Sequence, residues 1–264
     1  MANLSILSQP VSEGLQAAPS RRGSGLRRAS ERRRKPQGGQ EFVEFGLVMS
    51  LLLVPMFLGS FVSGMNLLVT VQAKDVVRDA ANLYIHGTDF STYSAQQLAQ
   101  RLAKGLNLQI GSSFSGNQQS NLSASGNAVI VLTELEYVGS TTSPNCVAVG
   151  ASSCVNHDSF VFLQRVVFGS STIYSTHPST IGDYTGTGTN AIANNGAVPS
   201  PITNTYAKLS ASAQSAMTAA TTANANQTAL SDGQVIYMVE GYFDTSGFSL
   251  GGLGNQWVYA RYFF

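Results

Sequence analysis

Apolar residues are concentrated in one long segment, whereas the rest of the chain alternates between polar stretches and short apolar runs. Residues 45–73 contain no Asp, Glu, Lys, Arg or His. Because about 20 apolar residues span a bilayer, this segment predicts a transmembrane helix; a buried helix of a soluble protein is the alternative. Helical spacing continues over 74–86, so the helix is expected to extend beyond the span and to end at Gly87. A second helix is predicted over 94–106.

Four later runs are rich in Val, Ile, Tyr and Phe, which predicts strands. They are residues 128–138, 159–168, 234–244 and 256–264. Four strands beside a long helix predict an α+β fold, with a four-stranded antiparallel sheet packed on the helix. Residues 169–233 are rich in Ser, Thr, Asn, Ala and Gly. This composition indicates an insertion that is partly surface loop, with an alanine-rich helix as one interpretation of 206–222.

Charge is distributed unevenly along the chain. Residues 1–39 carry eight basic and two acidic residues, whereas residues 40–264 carry seven basic and twelve acidic residues. Basic residues directly before an apolar span predict a cytoplasmic N-terminus and an exported remainder. Only 11% of the residues are charged, against about 25% in an ordinary soluble domain. This composition argues against a nucleic-acid-binding module and against a coiled coil.

The sequence predicts no enzyme, no metal site and no cofactor. It contains no G-x-S-x-G, P-loop or HExxH motif. Glu134 could pair with Glu136 or with Glu240 for acid–base chemistry, but strand positions that face solvent are the favoured interpretation. Two Cys and three His do not make a zinc framework.

The two cysteines, Cys146 and Cys154, are eight residues apart in a polar stretch. Outside the cytoplasm, a pair with this spacing predicts a disulfide. The alternative is a metal site that combines Cys154 with His157 and Asp158, for which the sequence offers no fourth ligand.

The junction between the basic leader and the apolar segment does not resemble a secretory signal peptide. It reads Gln37-Gly38-Gly39-Gln40-Glu41-Phe42-Val43-Glu44-Phe45. A secretory signal has an apolar region of about 7–15 residues that ends at an A-x-A-like site, and the segment here is about twice as long. A weak site of that kind at 71–73 remains a rival. The residues after Arg27-Arg28 do not fit a twin-arginine signal.

A basic leader, a glycine, four residues, a glutamate and an apolar helix together resemble the class III signal of type IV pilins and pseudopilins. Residues 39–45 are similar to the processing motif of the Tad (tight adherence, Flp) pilus system. Residues 43–53 and 72–81 resemble the TadE-like minor pseudopilins. The resemblance extends over about residues 34–86, and a weaker likeness continues in the C-terminal strands.

The resemblance implies that a membrane prepilin peptidase cleaves after Gly39, which would make Gln40 the first mature residue and Glu44 the fifth. In the family this glutamate pairs with the N-terminal amine of a neighbouring subunit, which offsets the cost of a carboxylate in the membrane. The sequence departs from the pattern in having glutamine first, and Glu41 is a second candidate for the pairing. A Glu44 that reaches the lipid headgroups is the alternative role.

Small residues at helical spacing could let neighbouring helices approach closely, as Gly59 with Ser63 and Ser60 with Gly64. Ordinary tolerance of small residues in membrane helices is the alternative. The implied partners are the prepilin peptidase, other pilins or pseudopilins, the Tad secretion machinery and the membrane, without nucleic acid. The expected location is the bacterial inner membrane, with a periplasmic or extracellular head that can enter a pilus.

The sequence is therefore consistent with three functions. The favoured one is a minor pseudopilin with a leader over 1–39, a transmembrane and assembly helix over 40–86, and an exported head over 87–264. The second is an uncleaved, permanently anchored surface or periplasmic protein. The third is a secreted protein released by cleavage after Ala73.

Overall fold

The computed structural model describes residues 38–111, 119–222, 230–245 and 257–264, with side chains from Phe42 onward. The predicted basic leader up to residue 37 lies outside the described residues. The chain divides into a unit that ends at Leu51 and a unit that runs from Leu52 to Phe264. The helices are α1 (Gly38–Ile85), α2 (Tyr93–Leu102), α3 (Pro144–Val149), α4 (Ser171–Thr176) and α5 (Ala211–Thr222). The strands are β1 (Ser120–Ser123), β2 (Ala128–Val138), β3 (Ser159–Ser170), β4 (Gln234–Asp244) and β5 (Trp257–Phe263).

The long helix α1 continues beyond the charge-free segment, as predicted, and ends at Ile85, directly after the buried Tyr84. Gly87 has a φ of 83°, in the left-handed region that favours glycine. Its N–H bonds to the carbonyl of Tyr84, and the N–H of Thr88 bonds to the carbonyl of Leu83. These two bonds form a Schellman motif, which confirms Gly87 as the residue that ends the helix. Helix α2 is shorter than predicted, because the chain tightens into a 3₁₀ turn at Lys104–Leu106.

The fold is α+β, but the predicted four-stranded antiparallel sheet was wrong. The sheet has five strands in the order β1-β3-β2-β4-β5, and β1 runs parallel to β3 while the other pairs are antiparallel. The four predicted strands occur with ends within two residues of the prediction. The additional strand, Ser120–Ser123, reads Ser-Asn-Leu-Ser. With one apolar residue in four, it has no alternating pattern that would mark it as a strand.

One face of the sheet packs against the second half of α1. Val77 lies so close to Gly241 of β4 that a β-carbon at position 241 would overlap a Val77 methyl group. Further along, the rings of Tyr84 and Tyr237 meet edge to face with centroids 5.4 Å apart. Small side chains on α1 permit this approach. The α1 side chains that are buried in this interface are Val69, Ala73, Val76, Val77, Ala80, Ala81 and Tyr84, and all of them except Tyr84 are Val or Ala.

The order of these contacts gives the direction of α1 across the sheet. Val69 shares a small cavity with Phe243, whereas Tyr84 contacts Tyr237, so residue numbers rise along α1 as they fall along β4. The 15 helical steps between Val69 and Tyr84 cover about 22 Å, and the six strand steps between Phe243 and Tyr237 cover about 20 Å. The helix therefore lies along β4 and runs antiparallel to it.

The opposite face of the sheet is covered by the polar segment between β3 and β4. The sequence predicted an insertion that is partly surface loop, but the segment also contributes buried apolar side chains to the head. They include Ile173, Ile181, Val198, Leu209 and Met217. Its backbone also bonds to β3, as Val198 N–H to Leu163 O at 2.8 Å and Leu209 N–H to Phe160 O at 3.1 Å. The alanine-rich helix within the segment is α5, which starts at Ala211 rather than at Tyr206.

Candidate functional site: the surface of the long helix

The first half of α1 is bare. From Phe42 to Phe61 every residue of the helix is exposed, and fourteen of the twenty side chains are large and apolar. Twenty helical residues measure about 30 Å, the thickness of a bilayer hydrocarbon core. By length and composition, the described part of α1 is suited to cross a membrane.

The charge-free segment over 45–73 is divided between two environments. From Val62 onward one side of the helix is buried, and both Val69 and Ala73 have less than a tenth of their surface exposed. The residues after Phe61 therefore belong partly to the head, although their composition does not differ from that of the residues before them. A sequence window cannot separate the two parts, because core and membrane helices are both apolar.

The predicted small-residue positions are all exposed. An added β-carbon at Gly59 or Gly64 would meet nothing within 4 Å. The hydroxyl groups of Ser60 and Ser63 bond to the helix's own carbonyls, at 3.0 Å to Phe57 O and 2.8 Å to Gly59 O. Hydroxyls satisfied in this way can face an apolar neighbour without an unpaired polar group.

An exposed stripe continues from these residues along the part of α1 that carries the head. Ser60, Gly64, Leu67 and Val71 follow one another at steps of four, three and four, so they share one side of the helix. Leu67 is 70% exposed and Val71 is 51% exposed. We call these four residues the α1 stripe. It presents apolar surface next to a folded head, which is typical of an interaction surface.

The motif residues lie at the start of the helix. Because α1 begins at Gly38, the backbone of Gly39 and Gln40 is helical, and the side chain of Glu41 is outside the described ones. Glu44 has an exposed side chain on the next turn.

A buried polar cluster that the sequence did not predict lies on the opposite face of the sheet. Glu240 is fully buried, so its interpretation as a solvent-facing strand residue was wrong. One carboxylate oxygen accepts from the Ser179 hydroxyl, and the other accepts from the Tyr259 hydroxyl at 2.8 Å and from the backbone N–H and hydroxyl of Thr180 at 3.2 and 2.5 Å. Burial and the Glu240 charge raise the pKa of the Tyr259 hydroxyl.

A second buried charge holds the same segment to the sheet. Arg165 of β3 has only 4% of its side chain exposed and pairs with Asp183 at 2.5 Å. Its guanidinium also lies 3.4 Å from the hydroxyls of Thr133 and Tyr174. Both charged clusters connect strands to the polar segment, and this placement indicates a structural role. In the sequence, the only sign of these two clusters was a glutamate or an arginine within an otherwise apolar strand.

The other predicted acidic residues are not brought together with Glu240. Glu134 follows Ile130 and Leu132 at every second position and so lies on the face that packs against α1, whereas Glu240 lies on the opposite face. Glu134 is half-buried near Tyr237, and burial raises the pKa of its carboxyl. Glu136 accepts a hydrogen bond from the Asn145 amide, and burial raises the pKa of its carboxyl as well.

Cys146 and Cys154 are joined in a disulfide. The bond occupies the Cys154 sulfur, which the alternative metal site required. The remaining residues of that alternative contact each other, with His157 Nδ1 at 3.1 Å from Asp158 Oδ2. Both sulfurs are buried beside the apolar residues of the outer sheet face.

No family model, curated protein or solved structure matches this chain.

Proposed function

We propose that this protein is a minor pseudopilin, a structural and assembly subunit of a Tad-type pilus or secretion apparatus rather than an enzyme. In this proposal a prepilin peptidase cleaves after Gly39, and α1 first anchors the subunit in the inner membrane. The same helix then packs against other pilin-like subunits, with Glu44 beside a neighbouring N-terminal amine.

The observation that carries the proposal is the division of α1 into a bare half and a half that forms the core of the head. A subunit that moves from a membrane into a helical assembly needs apolar surface around the first half of its helix. It also needs a firm connection to its head, and the seven buried side chains between Val69 and Tyr84 supply it. The sequence motif at Gly39 lies at the start of this helix.

The same observation argues against release by cleavage after Ala73. Helix α1 runs through this position without interruption. Val69 and Ala73 on one side of the cut, and Val76 and Val77 on the other, are buried in one core. Cleavage there would remove part of the core, and deleting a buried aliphatic side chain typically costs about 2–5 kcal/mol.

An uncleaved, signal-anchored protein is the second candidate, since the bare half of α1 serves equally well as a permanent anchor. The intact mass and the N-terminal peptide of the native, membrane-extracted protein separate the two candidates. We expect the chain to start at Gln40, and an N-terminal glutamine can cyclise with a change in mass. Mass spectrometry is required because a cyclised glutamine blocks chemical sequencing.

Gly39→Arg tests the cleavage point, and Gly25→Arg introduces the same side chain elsewhere in the leader as a matched control. We expect Gly39→Arg, or loss of the peptidase, to leave the leader attached, and Gly25→Arg to be processed normally. A wild-type chain that starts at Met1 would favour the permanent anchor instead. After a Gln40 start is found, Glu44→Gln is expected to block assembly without affecting cleavage, with Glu41→Gln as the control for the neighbouring acid.

A further inference from the structure

Strand β5 forms an edge of the sheet, and its exposed residues follow one another at every second position. Trp257, Tyr259 and Arg261 are exposed, whereas Val258 and Ala260 between them are buried toward α1. The Arg261 guanidinium also lies over the ring of Phe263, 4.8 Å from its centroid. Tryptophan, tyrosine and arginine are the residue types that contribute most to protein interfaces.

The backbone of β5 is open along the same residues. Tyr237 and Phe264 exchange both of their backbone hydrogen bonds, each 3.0 Å long. In an antiparallel pair such doubly bonded positions recur at every second residue. Since 264, 262, 260 and 258 bond to β4, the N–H and C=O groups of 257, 259, 261 and 263 point away from the sheet. Within the described part of the chain, no backbone group bonds to them.

The other edge of the sheet is protected. Strand β1 covers the second half of β3 and has only four residues, and Ile110 forms a bridge to Leu122 on its outer side. The first half of β3 is bridged by Ala197 and Lys208. Short edge strands and covering loops are common protections against strand pairing. Strand β5 has neither a proline nor a register shift, and Arg261 is its only charge.

We propose that the β5 edge accepts an extended strand from a different polypeptide in the same membrane. Four outward-facing residues match a partner segment of about seven residues, which would extend the sheet by one strand. The partner segment carries an acidic side chain beside Arg261 and apolar side chains beside Trp257 and Tyr259, because these complement the charge and the aromatic surface of β5.

A second copy of this chain does not fit the edge in an antiparallel arrangement. A two-fold axis that pairs β5 with its own antiparallel copy stands perpendicular to the sheet. Because α1 lies along β4 and parallel to the plane of the sheet, this axis reverses the direction of α1. The two anchors would leave the dimer in opposite directions, which two copies in one membrane cannot do. This step rests on the proposed function, since it requires α1 to be a membrane anchor.

A parallel pairing of two copies about a two-fold axis fails for a different reason. A two-fold axis along the membrane normal places each residue of β5 opposite its own equivalent. N–H then faces N–H, whereas a parallel ladder needs the outward-facing residues of the two strands offset by one position.

Photo-cross-linking in native membranes tests the proposal with the full chain. p-Benzoylphenylalanine replaces Trp257 or Tyr259, with Val147 on the exposed side of α3 as a matched position elsewhere. We expect the two β5 positions to link to residues two apart in one segment of one other polypeptide, identified by sequencing the cross-linked peptides. We expect the Val147 position to give no link to that segment.

Three substitutions test whether the cross-link depends on the charge and on the open backbone of β5. We expect Arg261→Glu to lower about tenfold the yield of the adduct formed by p-benzoylphenylalanine at position 259. We expect Arg101→Glu, on the exposed surface of α2, to leave this yield unchanged. Arg261→Pro removes an outward-facing N–H without breaking the bonds to β4 and is expected to lower the yield similarly. A folded head in each variant is verified by its thermal melting.

Four results would overturn the proposal: an adduct of twice the chain mass, linked residues without the two-residue spacing, a yield insensitive to Arg261→Glu, and no adduct. The N-terminal mass is measured on the same preparation. A chain that starts at Met1 and still gives the two-residue pattern would overturn the pseudopilin function but leave the assignment of the β5 edge standing.

Discussion

The two faces of the sheet are covered in different ways. On one face, α1 lies along β4 with small apolar side chains, and the contact with Gly241 leaves no room for a β-carbon. On the other face, an irregular polar segment is held by buried charges, with Glu240 and Arg165 at two separate points. The comparison shows that a helix covers a sheet through shape, whereas a loop covers it through specific hydrogen bonds and a few apolar anchors.

The strongest test of the helix-covered face is a charge placed within it. Ala80 is fully buried between α1 and the sheet, and Ala80→Asp introduces a carboxylate without a partner. We expect a loss of at least about 4 kcal/mol in the free energy of unfolding, enough to prevent folding of the head. Circular dichroism of the full chain in detergent micelles measures the effect, with Asn82→Asp on the exposed side of the same turn as the control. Equal melting temperatures for the two variants would contradict this packing.

The loop-covered face depends on the Glu240 carboxylate. Glu240→Leu leaves the Ser179 and Tyr259 hydroxyls and both Thr180 donors without their acceptor. We expect a loss of about 3 kcal/mol in chemical denaturation. Glu240→Gln keeps one acceptor oxygen and is expected to lose about half as much. If Glu240→Leu were as stable as the wild type, the cost of burying the charge would cancel its hydrogen bonds, and the apolar anchors alone would hold the segment.

The disulfide stabilises the same side of the sheet by a covalent constraint. Replacing Cys146 and Cys154 together by serine removes a short closed loop from the unfolded chain. We expect a loss of about 2–3 kcal/mol in the free energy of unfolding, and we expect reduction of the wild type with a thiol to give the same loss. A reduced wild type that melts at the temperature of the oxidised protein would show that the bond adds nothing to this face.

The smallest effect is expected at Glu134, on the helix-side face near the end of α1, where burial raises the pKa of its carboxyl above the ordinary value of 4.5. The folded state therefore holds this proton to a higher pH than the unfolded state does. The resulting stabilisation is complete below pH 4.5 and is lost as the pH rises through the raised pKa. We expect Glu134→Gln to raise the melting temperature slightly at pH 7 and to have no effect at pH 3.5. A lower melting temperature at pH 7 would contradict the sign.

The difference between the two faces also explains which elements the sequence predicted. β2 and β4 begin and end at the predicted residues, because strands rich in Val, Ile and Tyr carry their pattern locally. Gly87 was predicted as the end of α1 for the same reason. The covering of the outer face depends on residues far apart in the chain, such as Ser179 and Glu240, and no local pattern connects them. β1 was missed because it is formed by pairing with β3 rather than by its own composition.

The candidate site also combines features that the local sequence predicts with features that only the folded structure reveals. The proposed cleavage motif around Gly39 and Glu44 is local, so it was inferred from the sequence alone, whereas the boundary at Val62 is set by where the head contacts the helix. The α1 stripe combines both kinds of information. Its spacing can be read from the sequence, but the exposure of Leu67 beside a folded head cannot.

The direction of α1 along β4 has a mechanical consequence. A pull applied to the helix from the Phe61 side acts parallel to the interface between Val69 and Tyr84. Such a shear must disrupt the contacts of all the intervening turns together, whereas a perpendicular force would peel them away one turn at a time. The head is therefore attached in the geometry that best resists being stripped from its helix, and the proposed extraction of the subunit from a membrane would apply a load of this kind.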